Sequence, residues 1–298
     1  MLYHGDSCEI LKGIPDNSIH YSITSIPFAS LYTYSNSERD MGNSRSYEEF
    51  AQQYVFLGRE WYRVMMPGRC VSIHCMNLPL SKERDGVIGI RDFRGDVIRW
   101  MQALGFIYHS EVCIWKNPVT AMQRTKALGL LHKQIKKDSC MSRQGIPDYL
   151  VTFRKPGDNP ERVTHTDQTY PVGKWQQVAS PIWDEYASPV WWDINQSDTL
   201  NVRVVRDEAD ERHICALQLP VIERGIELWS NPGDIVLDPF NGIGSTGYQA
   251  LLMGRKYIGI ELKESYYLQS VKNLEVADDV RRIASVSLFD MEEVDNGN

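Results

Sequence analysis

Long apolar runs are missing from this 298-residue chain. No stretch approaches the ~20 consecutive apolar residues that a membrane-spanning helix needs. The opening Met1-Leu2-Tyr3-His4-Gly5-Asp6 has no basic region followed by a greasy stretch, so no secretory leader is read there and a soluble intracellular protein is expected. Zinc-ligand spacing is missing too. The six cysteines (Cys8, Cys70, Cys75, Cys113, Cys140, Cys215) are scattered without a Cys-x-x-Cys pair, and buried free thiols are the expectation. Positive charge is in deficit, 32 Lys and Arg against 39 Asp and Glu, which argues against nonspecific coating of nucleic acid. Internal repeats and low-complexity tracts are not found.

What is present suffices for a core: 42% hydrophobic and 24% charged residues fit one large or two modest globular domains. Eight Trp and fifteen Tyr are a generous supply of aromatics, which often serve flat ligands or interfaces. The net charge of −7 hides an asymmetry. Between Lys116 and Lys155 the chain carries Lys116, Arg124, Lys126, Lys133, Lys136, Lys137, Arg143, Arg154 and Lys155 against only Asp138 and Asp148. A solvated basic face is the plain reading, and an anionic partner the sharper one.

Short β-rich runs alternate with helical patterns at both ends of the chain, as in a layered α/β sheet. Strands are predicted at Leu2 to His4, Ile19 to Thr24, Arg69 to Cys75, Phe106 to Trp115, Ile235 to Asp238 and Tyr257 to Glu261. Helices are predicted at Cys8 to Leu11, Tyr47 to Met65, Phe93 to Leu104, Leu219 to Ser230, Ser245 to Met253 and Glu264 to about Val276. In the second of these, Phe50, Tyr54, Leu57 and Trp61 recur at three and four residues, and Pro67-Gly68 is the expected stop. Residues 116–210 break the rhythm: basic first, then rich in Pro, Ser, Thr and Trp. The division expected is therefore 1–115 and 211–280 as two halves of one core, 116–210 as an inserted recognition region, and 281–298 as a tail frayed from Asp290 on.

The stretch Val236-Leu237-Asp238-Pro239-Phe240-Asn241-Gly242-Ile243-Gly244-Ser245-Thr246 passes from a strand through glycines into a helix, where backbone approaches a ligand closely and helix N–H groups are free. Glu261, at the end of the next strand, stands about where an acid binds both ribose hydroxyls. Gly242-x-Gly244-x-x-Gly247 is a formal match to a dinucleotide loop, which keeps a nicotinamide dehydrogenase as an alternative. Asp238 at the strand tip speaks against a pyrophosphate and for the ammonium of an amino acid. A cofactor joining a nucleoside to an amino acid is S-adenosylmethionine.

On these residues the chain resembles the amino-group DNA methyltransferases, N6-adenine or N4-cytosine, of bacteria and their phages. Asp238-Pro239-Phe240-x-Gly242-x-Gly244-Ser245-Thr246 resembles their cofactor motif, Tyr257 to Glu261 their ribose-binding strand, and Gly5-Asp6-Ser7 with Ile19 to Phe28 their opening segment. His213 to Pro220 resembles the stretch before the cofactor motif. The resemblance covers 1–115 and 211–276. It implies a Rossmann-like sheet with helices on both faces and S-adenosyl-L-methionine as cofactor. Asp6 and Glu261 would hold the adenosine half, and Asp238, Phe240 and Gly242 the methionine side, with Pro239, Gly244, Ser245 and Gln218 completing the cradle.

Ser25-Ile26-Pro27-Phe28 resembles the family's catalytic Asp/Asn/Ser-Pro-Pro-Tyr/Phe/Trp, departing at Ile26. An exocyclic amino nitrogen is a weak nucleophile because its lone pair is delocalised into the ring. Attack on a sulfonium methyl therefore needs acceptors for both amino hydrogens, Ser25 Oγ and the Ile26 carbonyl, and Phe28 would stack on a base flipped from the duplex. Motif order resembles the β group, in which the insert reads the target. Arg124, Lys126, Lys133, Lys136, Lys137 and Arg143 are then candidate DNA contacts. Ser25 leans toward cytosine N4, whereas stand-alone members more often methylate adenine N6, and the balance goes narrowly to adenine. The resemblance further implies double-stranded DNA as partner, a homodimer as one arrangement, neither metal nor membrane, and the cytoplasm of a bacterial cell or a phage origin. Ile26 keeps a noncatalytic DNA-binding relative in view, and RNA or a small molecule stays open as acceptor.

Overall fold

A computed structural model describes residues 1–29, 37, 39–120, 132–165, 186–200 and 216–295. The strands are β1 (Leu2–His4), β2 (Ile19–Ser25), β3 (Met65–Met76), β4 (Leu78–Leu80), β5 (Gly89–Arg91), β6 (Ile107–Ile114), β7 (Asp148–Arg154), β8 (Val190–Trp191), β9 (Ile235–Asp238) and β10 (Lys256–Glu261), and β-branched and aromatic residues dominate the longer ones such as β2 and β7. Eight of these make one sheet in the order β1-β10-β9-β2-β3-β7-β6-β8, and β4 pairs with β5 separately. From β1 to β3 all neighbours are parallel, and β7 runs antiparallel to both β3 and β6.

Helices cover both faces because their apolar stripes recur at helical spacing. On one face the helices Tyr47–Val64 and Phe93–Ala103 bury Phe50, Tyr54, Leu57, Trp61, Val97 and Met101 against Ile73, Val151 and Phe153. On the other, Leu219–Trp229 and Ser245–Leu252 bring Val221, Ile222, Ile226 and Ala250 onto Tyr21, Ile23 and Val236. Each such side chain contributes about 1.5–3 kcal/mol on burial. Helix starts are capped as their sequences dictate. Ser46 accepts from the Glu49 N–H at 3.1 Å, and Asp92 from the Gly95 N–H at 3.0 Å.

Several sequence expectations are corrected. The helix from Tyr47 gives way to β3 at Met65, two residues before Pro67-Gly68, and Lys155 Nζ binds the Met65 carbonyl at 2.8 Å. The helix from Glu264 continues to Asp295, through the span expected to fray. Residues 116–210 are no simple insert, since β7 lies inside the sheet between β3 and β6, and β8 extends its edge. Buried Arg224 of the helix Leu219–Trp229 binds Asp193 and lies over the rings of Tyr186 and Trp191, tying this region to the core. Trp191 is fully buried while Trp192 is 65% exposed, and Trp183 lies outside the described residues. Of the thiols, Cys70 and Cys75 are buried, Cys8 and Cys113 are partly so and Cys140 is exposed; Cys215 lies outside the described residues. Among the described residues no helix is long and apolar enough to cross a membrane.

The order in which strands are added to the sheet reverses between β2 and β9. After β2 the next sheet strand, β3, is added on one side, and after β9 the chain adds β10 on the other. Such a reversal leaves a crevice at the carboxyl ends of the two strands, where ligands bind in open α/β sheets. Ser25 ends β2 and Asp238 ends β9.

Candidate active site

One cavity opens at this reversal. Its walls include Asp6, Ser7, Ser25, Ile26, Pro27, Phe28, Asp238, Pro239, Phe240, Gly242, Ser245 and Glu261. The catalytic and cofactor candidates are thus brought together, although Ser25 and Asp238 lie more than two hundred residues apart in the chain.

Asp238 is buried, and its Oδ1 accepts from the Thr24 hydroxyl at 2.5 Å and from the Phe240 N–H at 2.9 Å. Burial raises its pKa to about 6, against the lowering effect of the Thr24 and Thr246 hydroxyls and the Phe240 N–H. Glu261 Oε2 accepts from the Gly242 N–H at 2.7 Å and Oε1 from the Lys263 N–H at 2.8 Å. Burial raises it too, to about 7, with the charges of Asp238 and Asp40 adding to the rise. Two carboxyl groups held this way in a pocket wall are desolvated acceptors with lone pairs beyond those that their hydroxyl and backbone partners use. An amino acid's ammonium and a ribose's hydroxyl pair are suitable donors, so S-adenosylmethionine fits the group set.

Gly242 has φ +53°, and a side chain there would meet nothing within 4 Å, so its backbone borders open pocket. Gly244 is different. It caps the helix Ser245–Leu252 at φ +87°, and a Cβ would lie 2.8 Å from Leu274 Cδ1, so it serves close packing against the helix from Glu264. It is not among the cavity walls, and neither is Gln218, which is buried at the start of Leu219–Trp229. Asp6 caps the helix Ser7–Ile10, accepting from the Cys8 N–H at 2.8 Å, and Ser7 donates to the Pro239 carbonyl at 2.5 Å.

Ser25 Oγ lies 2.9 Å from His74 Nδ1. Ile26 is 1% exposed and packs into the core, so the residue replacing the motif's first Pro is anchored by its side chain. Phe28 is 5% exposed, edge-on to Phe93 and His74, and presents only part of its ring to the cavity. Ala29, next in the chain, holds φ +50°, a conformation costing a non-glycine residue about 1–2 kcal/mol and found disproportionately at functional sites.

Residues 19–272 match the N6_N4_Mtase family, described as DNA methylase. The chain belongs to that DNA methylase family. It is 43% identical over 83 residues to the DNA adenine methyltransferase YhdJ of Escherichia coli (strain K12), 28% of each chain. With the type II methyltransferase M.BglII of Bacillus subtilis the identity is 24% over 275 residues, 89% of this chain and 66% of that protein. Both matches fall short of two thirds of the relatives' own length. TTHA0409 of Thermus thermophilus, solved with S-adenosyl-L-methionine, shares the fold at a TM-score of 0.64 and 21% identity, with 93% of this chain and 95% of that one covered.

In this member of the family the basic candidates fare unevenly. Arg124 and Lys126, and the side chain of Lys133, lie outside the described residues. Lys136 and Lys137 are exposed, and Arg143 is half-buried, its pKa lowered by desolvation. Two charges of the basic run are structural: Lys116 Nζ lies 2.5 Å from Asp148, and buried Lys155 binds Asn17 at 2.7 Å. Sequence reading missed Thr24, His74, Arg39, Lys263 and Tyr266; of these all but His74 also border Asp238, Asp6 or the cavity. Thr24 adjoins Ser25 and was legible as a strand residue, but no local pattern marks the others. A further cluster, His20, Glu161 and Asp234, brings potential metal ligands within 4.8 Å of one another at the amino ends of β2 and β9. Buried Arg69 already pairs with Asp234 there.

Proposed function

We propose that the chain is an S-adenosylmethionine-dependent DNA methyltransferase acting on the N6 amino group of adenine in a base flipped from double-stranded DNA. The observation that carries this is the single cavity shared by Ser25–Phe28 and the Asp238–Gly242 turn, which joins amino-holding groups to a cofactor cradle. Bound S-adenosylmethionine supplies a methyl group on a cationic sulfonium. Asp238 receives the ammonium, Glu261 the ribose hydroxyls, and Gly242 lets backbone approach. Ser25 Oγ and the Ile26 carbonyl accept the two amino hydrogens and favour the tetrahedral nitrogen that attacks. Phe28 borders the base.

The segment before β7, with Lys136, Lys137 and Arg143 toward phosphates, supplies the target-reading side. The bacterial sources of the relatives favour a bacterial cytoplasmic setting. Adenine is supported by the identity to YhdJ. Cytosine N4 is the second reading, favoured by Ser25 in the first position of the catalytic tetrapeptide. Duplex DNA incubated with protein and methyl-labelled S-adenosylmethionine, then digested to nucleosides for mass spectrometry, is expected to carry label in N6-methyladenine. Label in N4-methylcytosine selects the second reading, and no label in either base rejects both.

A further inference from the structure

A polar line runs inward from Ser25 across neighbouring strands. Ser25 closes β2 and is in register with His74 of β3, and Asp148 opens β7 opposite Met76. Alternate residues of a strand share a face, which places His74 and Asp148 on the side of the sheet that carries Cys70 and Leu150. Ser25 Oγ is 2.9 Å from His74 Nδ1, and His74 Nε2 is 3.0 Å from Asp148 Oδ2. Lys116, just past β6, brings Nζ within 2.5 Å of the same oxygen. His74 is 4% and Asp148 1% exposed. Burial alone would raise the Asp148 pKa, but the Lys116 ammonium first, with His74 after it, outweighs burial and lowers the carboxyl to about 2. Lys116 is a full charge at contact, so the carboxylate does not depend on His74 being charged.

We propose that Ser25, His74 and Asp148 form a proton-accepting relay, in which His74 takes up through Ser25 the proton that the target amino group gives up on methylation. This rests on the methyl-transfer reading above. Hydrogen-bond direction follows from which groups can donate. Ionised Asp148 attracts the proton of His74 to Nε2, which lies at ion-pair distance without an aligned hydrogen bond, and this leaves Nδ1 as a bare acceptor. Ser25 donates its hydroxyl hydrogen to Nδ1 and turns its lone pairs to the cavity, where an amino N–H can bind. As the nitrogen–methyl bond forms, the methyl–sulfur bond breaks with its electron pair left on sulfur, and the nitrogen becomes positive. That nitrogen passes a proton to Ser25 Oγ while the Ser25 hydroxyl proton moves to His74 Nδ1. The methylated amine ends neutral, and the positive charge rests on an imidazolium beside Asp148. His74 does not touch the base; it is a positioning residue that acts through Ser25, with carboxylate, histidine and serine in the same order as in a hydrolase triad.

Two measurements on the full chain test the relay. Long-range proton–nitrogen spectra of histidine-labelled wild-type protein near neutral pH are expected to show His74 protonated on Nε2 and bare on Nδ1. A proton on Nδ1, in either the other tautomer or the imidazolium, overturns the relay whether or not any variant folds. His74→Asn keeps a polar atom near the Nδ1 position but cannot take up a proton. Its single-turnover transfer rate is expected to fall ~10²-fold, with affinities for cofactor and duplex within about twofold of wild type. A rate within threefold of wild type, or a rate loss matched by lost cofactor binding, overturns the relay and leaves the functional reading standing. Absence of transfer by the wild type overturns both.

Discussion

The Thr24 hydroxyl donates to the Asp238 carboxylate at 2.5 Å across 214 residues of chain, joining the end of β2 to the tip of β9. A shift of either strand end moves both. Ser22, two residues earlier on β2, makes the same kind of link, donating to the Leu237 carbonyl at 2.7 Å. The spacing between Ser25 and Asp238, the proposed amino acceptor and cofactor cradle, is therefore set by the sheet itself, and rigid elements hold such spacings better than loops do.

Cofactor affinity is expected to depend on the charge of Asp238. Its pKa is about 6, so between pH 7.5 and pH 5 the acceptor for the ammonium is neutralised. Calorimetric titration with S-adenosylmethionine should show affinity falling ~10-fold over that range. Asp238→Asn should bind weakly throughout and lose most of the dependence. Equal wild-type affinity at both pH values would contradict the assignment.

Stability of the cofactor-free protein should fall as pH rises toward neutrality. Asp238 and Glu261 have folded-state pKa values raised to about 6 and about 7, so the folded state holds protons that the unfolded chain releases near pH 4. The contribution is fully present below the unfolded values and is lost as pH climbs through the folded ones. For Asp238 it is on the order of 3 kcal/mol. Thermal melts from pH 4 to 7 should show the decline, and Asp238→Asn with Glu261→Gln should flatten it.

The two glycines of the cofactor turn should fail differently. In Gly244→Ala the new methyl meets Leu274 at 2.8 Å and Ser270 at 3.0 Å in a left-handed backbone, a loss of about 1–3 kcal/mol read as a lower melting temperature. In Gly242→Ala no atom blocks the methyl, so the effect should fall on cofactor affinity. A reversed pattern would place the ligand on the other side of the turn.

Much of this architecture is legible in local pattern. Phe50, Tyr54, Leu57 and Trp61 announce a helix face, and Asp238 and Glu261 stand at strand tips that read as strand tips. Legibility stops where strand order and register decide. Asp148 to Arg154 is a short β-branched and aromatic run, yet nothing local says that it pairs between β3 and β6, so its neighbourhood reads as an insert. His74 is an unremarked strand residue until register sets it beside Ser25. Trp191 and Trp192 are chemically alike, and alternation about β8 buries one and exposes the other. Gly244 matches a cofactor motif by spacing, whereas the helix packed behind it supplies the physical demand for glycine.

Exposed Lys136 and Lys137 should act on DNA as phosphate contacts. Each Lys→Ala substitution is expected to weaken binding about equally for all duplex sequences and to reduce the slope of log affinity against log salt by about 1. A sequence-selective loss would instead make the residue a base reader. No change at either position would move the DNA path away from this segment.

The central claim is that Ser25 and Asp238 border one site where a methyl group passes to a base. It is tested most directly by methyl transfer from labelled S-adenosylmethionine to duplex DNA, with wild type and Ser25→Ala run side by side and cofactor binding measured on both. The account predicts label in DNA with wild type, a loss of ~10² to 10⁴-fold in Ser25→Ala, and equal cofactor binding by the two proteins. Full transfer by Ser25→Ala, or transfer lost only because the cofactor no longer binds, would contradict it.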